Sequence, residues 1–135
     1  MITKSFDEVA ERFLNIRFDE EFDLIVAIAN GGVIPAAILN QQLGLELQLL
    51  KINLRDPEQR PRYDAPRLLS PIDFEVKGKR ILLVEDRVKT GATLEYARKL
   101  LREQDALSVK TFAVNGKADY ALYDESCFCF PWIIF

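Results

Sequence analysis

Two adjacent carboxylates, Glu85 and Asp86, are followed within a few residues by Lys89, Thr90, Gly91, Ala92 and Thr93. Acids side by side repel an anion and suit sugar hydroxyls or a hard divalent cation. A glycine-containing turn that opens a helix has the opposite preference, because its free backbone N–H groups hold a phosphate. A single stretch that offers both is matched to a ribose phosphate. Two elements must position it. Ile81-Leu82-Leu83-Val84 has no polar interruption and reads as a strand buried on both faces, and Leu94 to Glu103 reads as the helix that the turn opens.

The rest of the chain alternates in the same way. Ser5-Phe6-Asp7-Glu8 is a capping-box pattern, and Phe6, Val9, Ala10, Phe13 and Leu14 recur at helical spacing, which predicts a helix over about 5–17. Asp23 to Ala29 reads as a first buried strand, broken by Asn30-Gly31-Gly32. Val33 to Leu43 then reads as a helix, with Pro35 in its first turn and Gly44 just past its end. The glycine pair serves either as a tight turn or as a backbone platform for an anion. Leu45 to Ile52 is a third strand. Asn53 to Pro71 holds four prolines and four arginines and reads either as a functional loop or as a solvated connection. Lys77-Gly78-Lys79 is a turn before the acid-bearing strand, Val109 to Val114 a further strand, and Asn115-Gly116-Lys117 the turn after it. The tail, Asp119-Tyr120-Ala121-Leu122-Tyr123 and then Cys127-Phe128-Cys129-Phe130-Pro131-Trp132, is aromatic and β-prone and is expected to end in a short strand. This alternation predicts an α/β fold in a single domain over residues 1–135, a mainly parallel sheet flanked by helices with a small C-terminal hood or strand. In such a sheet the loops after Ala29, Val84 and Val114 emerge on one edge, where ligands gather.

The run Ile81-Leu82-Leu83-Val84-Glu85-Asp86-Arg87-Val88-Lys89-Thr90-Gly91-Ala92-Thr93 resembles the diphosphoribosyl motif of the type I phosphoribosyltransferases, and the similarity extends with gaps from about Asp23 to Trp132. It is nearest to the small purine enzymes of the xanthine-guanine kind, whose tails also carry a Pro-Trp pair. The resemblance implies transfer of ribose 5-phosphate from phosphoribosyl pyrophosphate to a nitrogenous base, with a purine expected, magnesium as cofactor and pyrophosphate as the leaving group. By the same resemblance Lys89, Thr90, Gly91, Ala92 and Thr93 hold the 5′-phosphate, while Glu85 and Asp86 contact the ribose hydroxyls or the metal. Together with Lys89 these two acids are the expected catalytic residues. Asn30, Gly31 and Gly32 contact pyrophosphate, at a position where the family often has a basic residue in place of Asn30. Phe128 either stacks on the base or simply packs in the core, and Lys117 is the cation placed to reach the base. The 53–71 segment corresponds to a flap that closes over the reacting centre.

Two positions depart from the 6-oxopurine pattern. Lys89 stands where those enzymes commonly carry an aspartate that acts as base, which reverses the charge. Val114 stands where they carry a lysine that reads the 6-oxo group. Both fall at the base end and leave the phosphoribosyl end intact. They motivate a second reading, a sensor that binds a phosphoribosyl compound or nucleotide without turnover.

Composition narrows the alternatives. The 135 residues contain no histidine, which removes Ser-His and Cys-His nucleophile pairs and His-containing metal sites. Cys127 and Cys129 are too few for a zinc site and are expected to pack. A net charge of −3 argues against a nucleic-acid partner and makes an RNA-binding regulator the weakest reading. No apolar run approaches the roughly 20 residues that span a bilayer, so a cytoplasmic protein with no membrane partner is expected. Aromatic surface near the tail predicts a homo-oligomer, a dimer or tetramer.

Overall fold

The computed structural model describes residues 2–53 and 65–134. Its centre is the strand that ends in the acid pair, β4 (Arg80–Arg87). On one side β4 pairs in parallel with β1 (Leu24–Ala29), and on the other with β5 (Ser108–Asn115). Beyond β1 lie β2 (Glu46–Asn53) and β3 (Arg67–Leu68), and beyond β5 lies β6 (Tyr120–Tyr123), so the six strands run in the order β3-β2-β1-β4-β5-β6. Every pairing is parallel except β2 with β3, which is antiparallel.

Period-2 alternation splits each central strand between two apolar layers. Ile25, Ala27, Leu82 and Val84 face one layer, and Leu24, Val26, Ile28, Ile81 and Leu83 face the other. Helix α1 (Phe6–Asn15) gives Val9 and Phe13 to the first layer. Helix α2 (Val33–Leu43) adds Ala36 and Leu39, and the tail adds Phe128 and Phe130. Helix α3 (Ala92–Glu103) covers the second layer with Leu94, Ala97 and Leu101. The uninterrupted apolar runs of β1 and β4 thus follow from burial on both faces.

Several local signals act as their chemistry dictates. Ser5 caps α1, accepting from the Glu8 N–H at 3.1 Å, but the reciprocal half of the capping box is absent. The Glu8 carboxylate instead accepts from the Tyr123 hydroxyl at 2.7 Å and pairs with Lys4. Gly44 closes α2 with φ +65°. The Arg12 guanidinium donates to the Leu122 carbonyl at 2.9 Å and lies over the Tyr123 ring, which docks α1 on β6.

Three expectations are corrected. The tail 127–132 forms no strand; it touches the N-terminus through one bridge, Thr3 with Cys129, and otherwise packs by its rings. The cysteines are not core residues: Cys127 is exposed and Cys129 half-buried, while the alternate positions Phe128 and Phe130 turn inward. In the expected 53–71 loop, Arg67 and Leu68 pair with β2 as an edge strand, and residues 54–64 lie outside the described residues.

The entrances to β1 and β4 are tied by a fork. Asp23 accepts from the Arg80 backbone N–H at 2.8 Å and from its guanidinium at 2.8 and 2.9 Å. These bonds, the guanidinium's first, hold the Asp23 carboxyl well below the usual carboxylate range. The native state therefore keeps Asp23 ionised to lower pH than the unfolded chain does. Its contribution is present above about pH 4 and is lost as pH falls further. The urea midpoint of Asp23→Asn is expected to lie below that of the parent protein at neutral pH, with the gap closing below about pH 4. A gap that stays constant through that range would contradict this assignment.

Candidate active site

Because β1, β4 and β5 are parallel, their carboxyl ends share one sheet edge, and the residues that follow them meet there. The contact between the first two loops is unusually close. A Cβ on Gly32 would lie 2.3 Å from the Val84 carbonyl oxygen and 2.9 Å from that of Ile28, and one on Gly31 would lie 2.7 Å from the Asp86 carboxylate. Only glycine lets the 30–32 backbone lie against the end of β4. Of the two readings of the glycine pair, the tight turn is what the structure shows, closed by the Gly32 N–H on the Ile28 carbonyl and the Val33 N–H on the Asn30 carbonyl. Asn30 is exposed at its tip, directly after the cis Ala29–Asn30 peptide.

Residues Glu85 to Leu94 line a cleft of about 310 Å³. Glu85 and Asp86 form its floor at the strand end, both half-buried. Glu85 accepts from the Asp86 N–H at 3.0 Å, and Asp86 accepts from the Arg87 N–H at 2.6 Å, so backbone donors fix both carboxylates in orientation. Burial, and then the adjacent Asp86, push the Glu85 carboxyl well above its ordinary range. A divalent cation would relieve that repulsion, and oxygen-only donors suit magnesium. Among the described residues no third His, Cys, Asp or Glu completes a cluster of metal ligands. An ion held by Glu85 and Asp86 would therefore take its other oxygens from a bound polyanion and water. The acid pair fits that role.

The opposite wall is the phosphate-type turn. Gly91 adopts φ +85°, a left-handed conformation that favours glycine, and starts α3 two residues earlier than the apolar pattern predicts. The Thr90 hydroxyl accepts from the Ala92 N–H at 3.2 Å and holds the turn open. Apart from that bond no side chain caps the N-terminus of α3, whose first turn, Ala92 to Leu94, lines the cleft. Lys89, Thr90 and Ala92 are exposed, and Gly91 and Thr93 are half-buried.

The base-end residues are placed less uniformly. Lys117 is exposed just beyond Gly116, at the same edge. Gly116 lies so close to the start of the motif turn that its Cβ would be 2.5 Å from the Val88 carbonyl. Phe128 is not at the open edge. It is 2 % exposed, with its ring edge-on to Tyr123 and Phe130 and the Lys4 ammonium 4.8 Å from its centroid. Of its two readings the core one holds, because three neighbours already occupy its surroundings. Val114 is fully buried.

Two residues that the sequence reading passed over complete the edge. The Arg87 guanidinium donates to the Phe128 carbonyl at 2.6 Å and lies 4.8 Å from the Phe130 ring, which straps the tail to the strand bearing the acids. Asn115 donates its amide to the Glu125 carbonyl and accepts from the Glu125 N–H. A charged residue directly after the acid pair was the visible signal for Arg87. Nothing local signalled Asn115, whose partner lies ten residues on.

The glycine contact generates a stability prediction. Gly32→Ala forces a methyl against two backbone carbonyls that cannot rotate away, and is expected to cost about 3 kcal/mol in urea unfolding. A cost under about 0.5 kcal/mol would show that the two loops are not locked as described.

Known proteins resemble this chain in fold and in sequence. A purine phosphoribosyltransferase from Pyrococcus horikoshii Ot3 shares the fold with a TM-score of 0.82 at 24% identity, over 99% of this chain and 94% of that one. The xanthine-guanine phosphoribosyltransferase of Idiomarina loihiensis is 27% identical over 84% of this chain and 72% of its own length. The transcriptional regulator GfcR of Methanocella arvoryzae is 28% identical over 87% of this chain but only 56% of its own length. The chain thus spans little more than half of some curated relatives. The phosphoribosyl transferase domain family matches residues 1–135, the whole sequence, and the chain belongs to that family.

Proposed function

We propose that this chain is a phosphoribosyltransferase that uses phosphoribosyl pyrophosphate and magnesium to place ribose 5-phosphate on a nitrogenous base, in keeping with its purine-enzyme relatives. The observation that carries this reading is the single cleft whose lining joins a carboxylate pair to the N-terminal turn of α3. The α3 amides and the 89–93 turn bind the 5′-phosphate. Glu85 and Asp86 orient the ribose hydroxyls, and the Asn30-Gly31-Gly32 loop contacts pyrophosphate, with the Gly32 N–H itself held by the Ile28 carbonyl. Glu85 and Asp86 would hold magnesium, which would supply charge neutralisation for the leaving group.

In the transfer, a ring nitrogen of the base forms a bond to the anomeric carbon as the bond from that carbon to pyrophosphate breaks. The proton on the base nitrogen leaves to solvent or to a pyrophosphate oxygen. The chain's own contribution is alignment of the two reactants and stabilisation of positive charge developing on the sugar by the carboxylates beneath it. Such a mechanism does not require an aspartate at the position of Lys89.

A homo-oligomer fits the surface of α2. Its first seven residues, Val33 to Leu39, include no polar side chain, yet Ile34 is 42 % exposed. A cytoplasmic location accords with the finding that no helix among the described residues is long and apolar enough to cross a membrane.

A sensor that binds the same ligand without turnover is the second reading. The similarity to a transcriptional regulator supports it, together with Lys89 and Val114 at the base end.

Asp86→Asn keeps the shape of a half-buried side chain packed against Gly31, so the protein should fold normally. Pyrophosphate release with magnesium and the preferred base is expected to fall on the order of 100-fold or more. Near-parental release from a folded variant would overturn the role given to the acid pair. Absence of release from the parent protein with every base tried, with thermal stabilisation by phosphoribosyl pyrophosphate retained, would favour the sensor.

A further inference from the structure

Arg87 carries a guanidinium that packing alone does not account for. The residue ends β4, directly after the acid pair, and lines the cleft. Its backbone N–H donates to the Asp86 carboxylate, a bond that does not involve the side chain. The guanidinium leaves the sheet for the tail, where it donates to the Phe128 carbonyl at 2.6 Å and lies 4.8 Å from the centre of the Phe130 ring. Nε is buried without a hydrogen-bond partner, and no carboxylate pairs with the group among the described residues. A buried cation left one bond short is costly, and an apolar side chain of similar reach would fill the space without that cost. What the guanidinium adds is a directed bond and a ring contact, which hold the tail at two points.

The side of the acid pair on which this happens matters chemically. Strand β4 lies between β1 and β5, and the Asn30-Gly31-Gly32 loop lies against Asp86 from the β1 side. On the β5 side Arg87 pairs with Asn115, whose amide holds both backbone groups of Glu125. Arg87 and Asn115, neighbours across two strand ends, therefore clasp the tail at 128 and 125. In the transfer, the departing and entering groups line up on opposite faces of the anomeric carbon. With pyrophosphate at the β1 loop, the base enters from the β5 side, where the clasp lies.

We propose that Arg87 is a positioning residue for the acceptor base: through the Phe128 carbonyl and the Phe130 ring it fixes the tail beside the acid pair, and so shapes the space that the base enters. The inference rests on the transferase reading and adds to it a residue that acts through the tail and not on phosphoribosyl pyrophosphate. The fold carries its own reporter of the clasp. Trp132, the one tryptophan of the chain, is half-buried and stacked on Phe130 with ring centres 5.1 Å apart.

Two measurements on the parent protein, Arg87→Met and Arg87→Lys test this. One is pyrophosphate release with phosphoribosyl pyrophosphate, magnesium and each of adenine, hypoxanthine, guanine, uracil, orotate and nicotinate. The other is acrylamide quenching of Trp132 fluorescence. With the base that the parent uses, Arg87→Met is expected to raise the KM for the base roughly tenfold while the KM for phosphoribosyl pyrophosphate stays within about threefold. Quenching of Trp132 should increase in the same variant. Arg87→Lys keeps a cation that can donate and lie over a ring, so it should recover part of both effects, and it carries the same comparison if the Met variant does not fold. A fall in kcat with both KM values kept would mark Arg87 as a structural support only and overturn the proposal. A raised base KM with Trp132 unchanged would make Arg87 a direct contact of the base, which also overturns it. Either result leaves the transferase reading standing. No release from the parent protein with any base would overturn both.

Discussion

The site depends on how closely two strand ends approach each other. Gly32 lies where any side chain would strike the Val84 and Ile28 carbonyls, and Gly31 lies where one would strike the Asp86 carboxylate. That approach brings the β1 loop and the end of β4 onto one another, so that the glycine backbone lies directly against the Asp86 carboxylate. Parallel pairing of β1 with β4 sets the level of the two ends, and the Asp23–Arg80 fork holds the same strands together at their entrances. With both ends of the pair tied, the loops have little freedom to separate. A site of this kind must be rigid, because positioning is most of what it contributes to the chemistry.

Charge is sorted along the edge in a way that neither sequence neighbourhood nor net charge conveys. Two carboxylates occupy the strand end, where burial makes the negative charge of Glu85 costly without a cation or ligand hydroxyls. The first turn of α3 stands across the cleft, with Lys89 exposed just before it. Arg87, in the midst of this, reaches the tail, where it bonds the Phe128 carbonyl and lies over Phe130. Its charge fastens the hood, while its Nε is buried without a hydrogen-bond partner. The hood is secured again from the other side by Lys4, which pairs with Glu125 at 2.8 Å and lies over both Tyr123 and Phe128. A chain whose tail forms no strand with the sheet is thus held by two cations and a file of rings, Phe128, Phe130 and Trp132.

Much of this was legible before any coordinates. The boundaries of α2 were read to the residue, because Pro35 and Gly44 are local punctuation whose effect does not depend on context. Strands β1 and β4 were found because burial on both faces leaves a continuous apolar run. The clustering of the three loops on one edge followed from alternation of strand and helix alone. What failed was the tail, where alternating Cys and Phe looked like a strand. Ring packing, and not ladder hydrogen bonding, decides its path, and aromatic residues satisfy both patterns equally well. Phe128 was left open between ligand and core for the same reason, since an aromatic side chain has no local mark that tells which face it will turn.

By itself the sequence determined the chemistry of the acid pair and the phosphate turn, the order of elements and the direction of the sheet. These are properties of residue type and short-range spacing, which act within one strand, one turn or one helix end. The tertiary structure alone decided which distant residues complete the edge: Gly31 beside Asp86, Arg87 given to the tail, Asn115 locked to Glu125, and Lys117 brought level with Lys89. The register between neighbouring strands sets each of these meetings, and register arises from packing of whole layers, to which no local stretch of sequence has access.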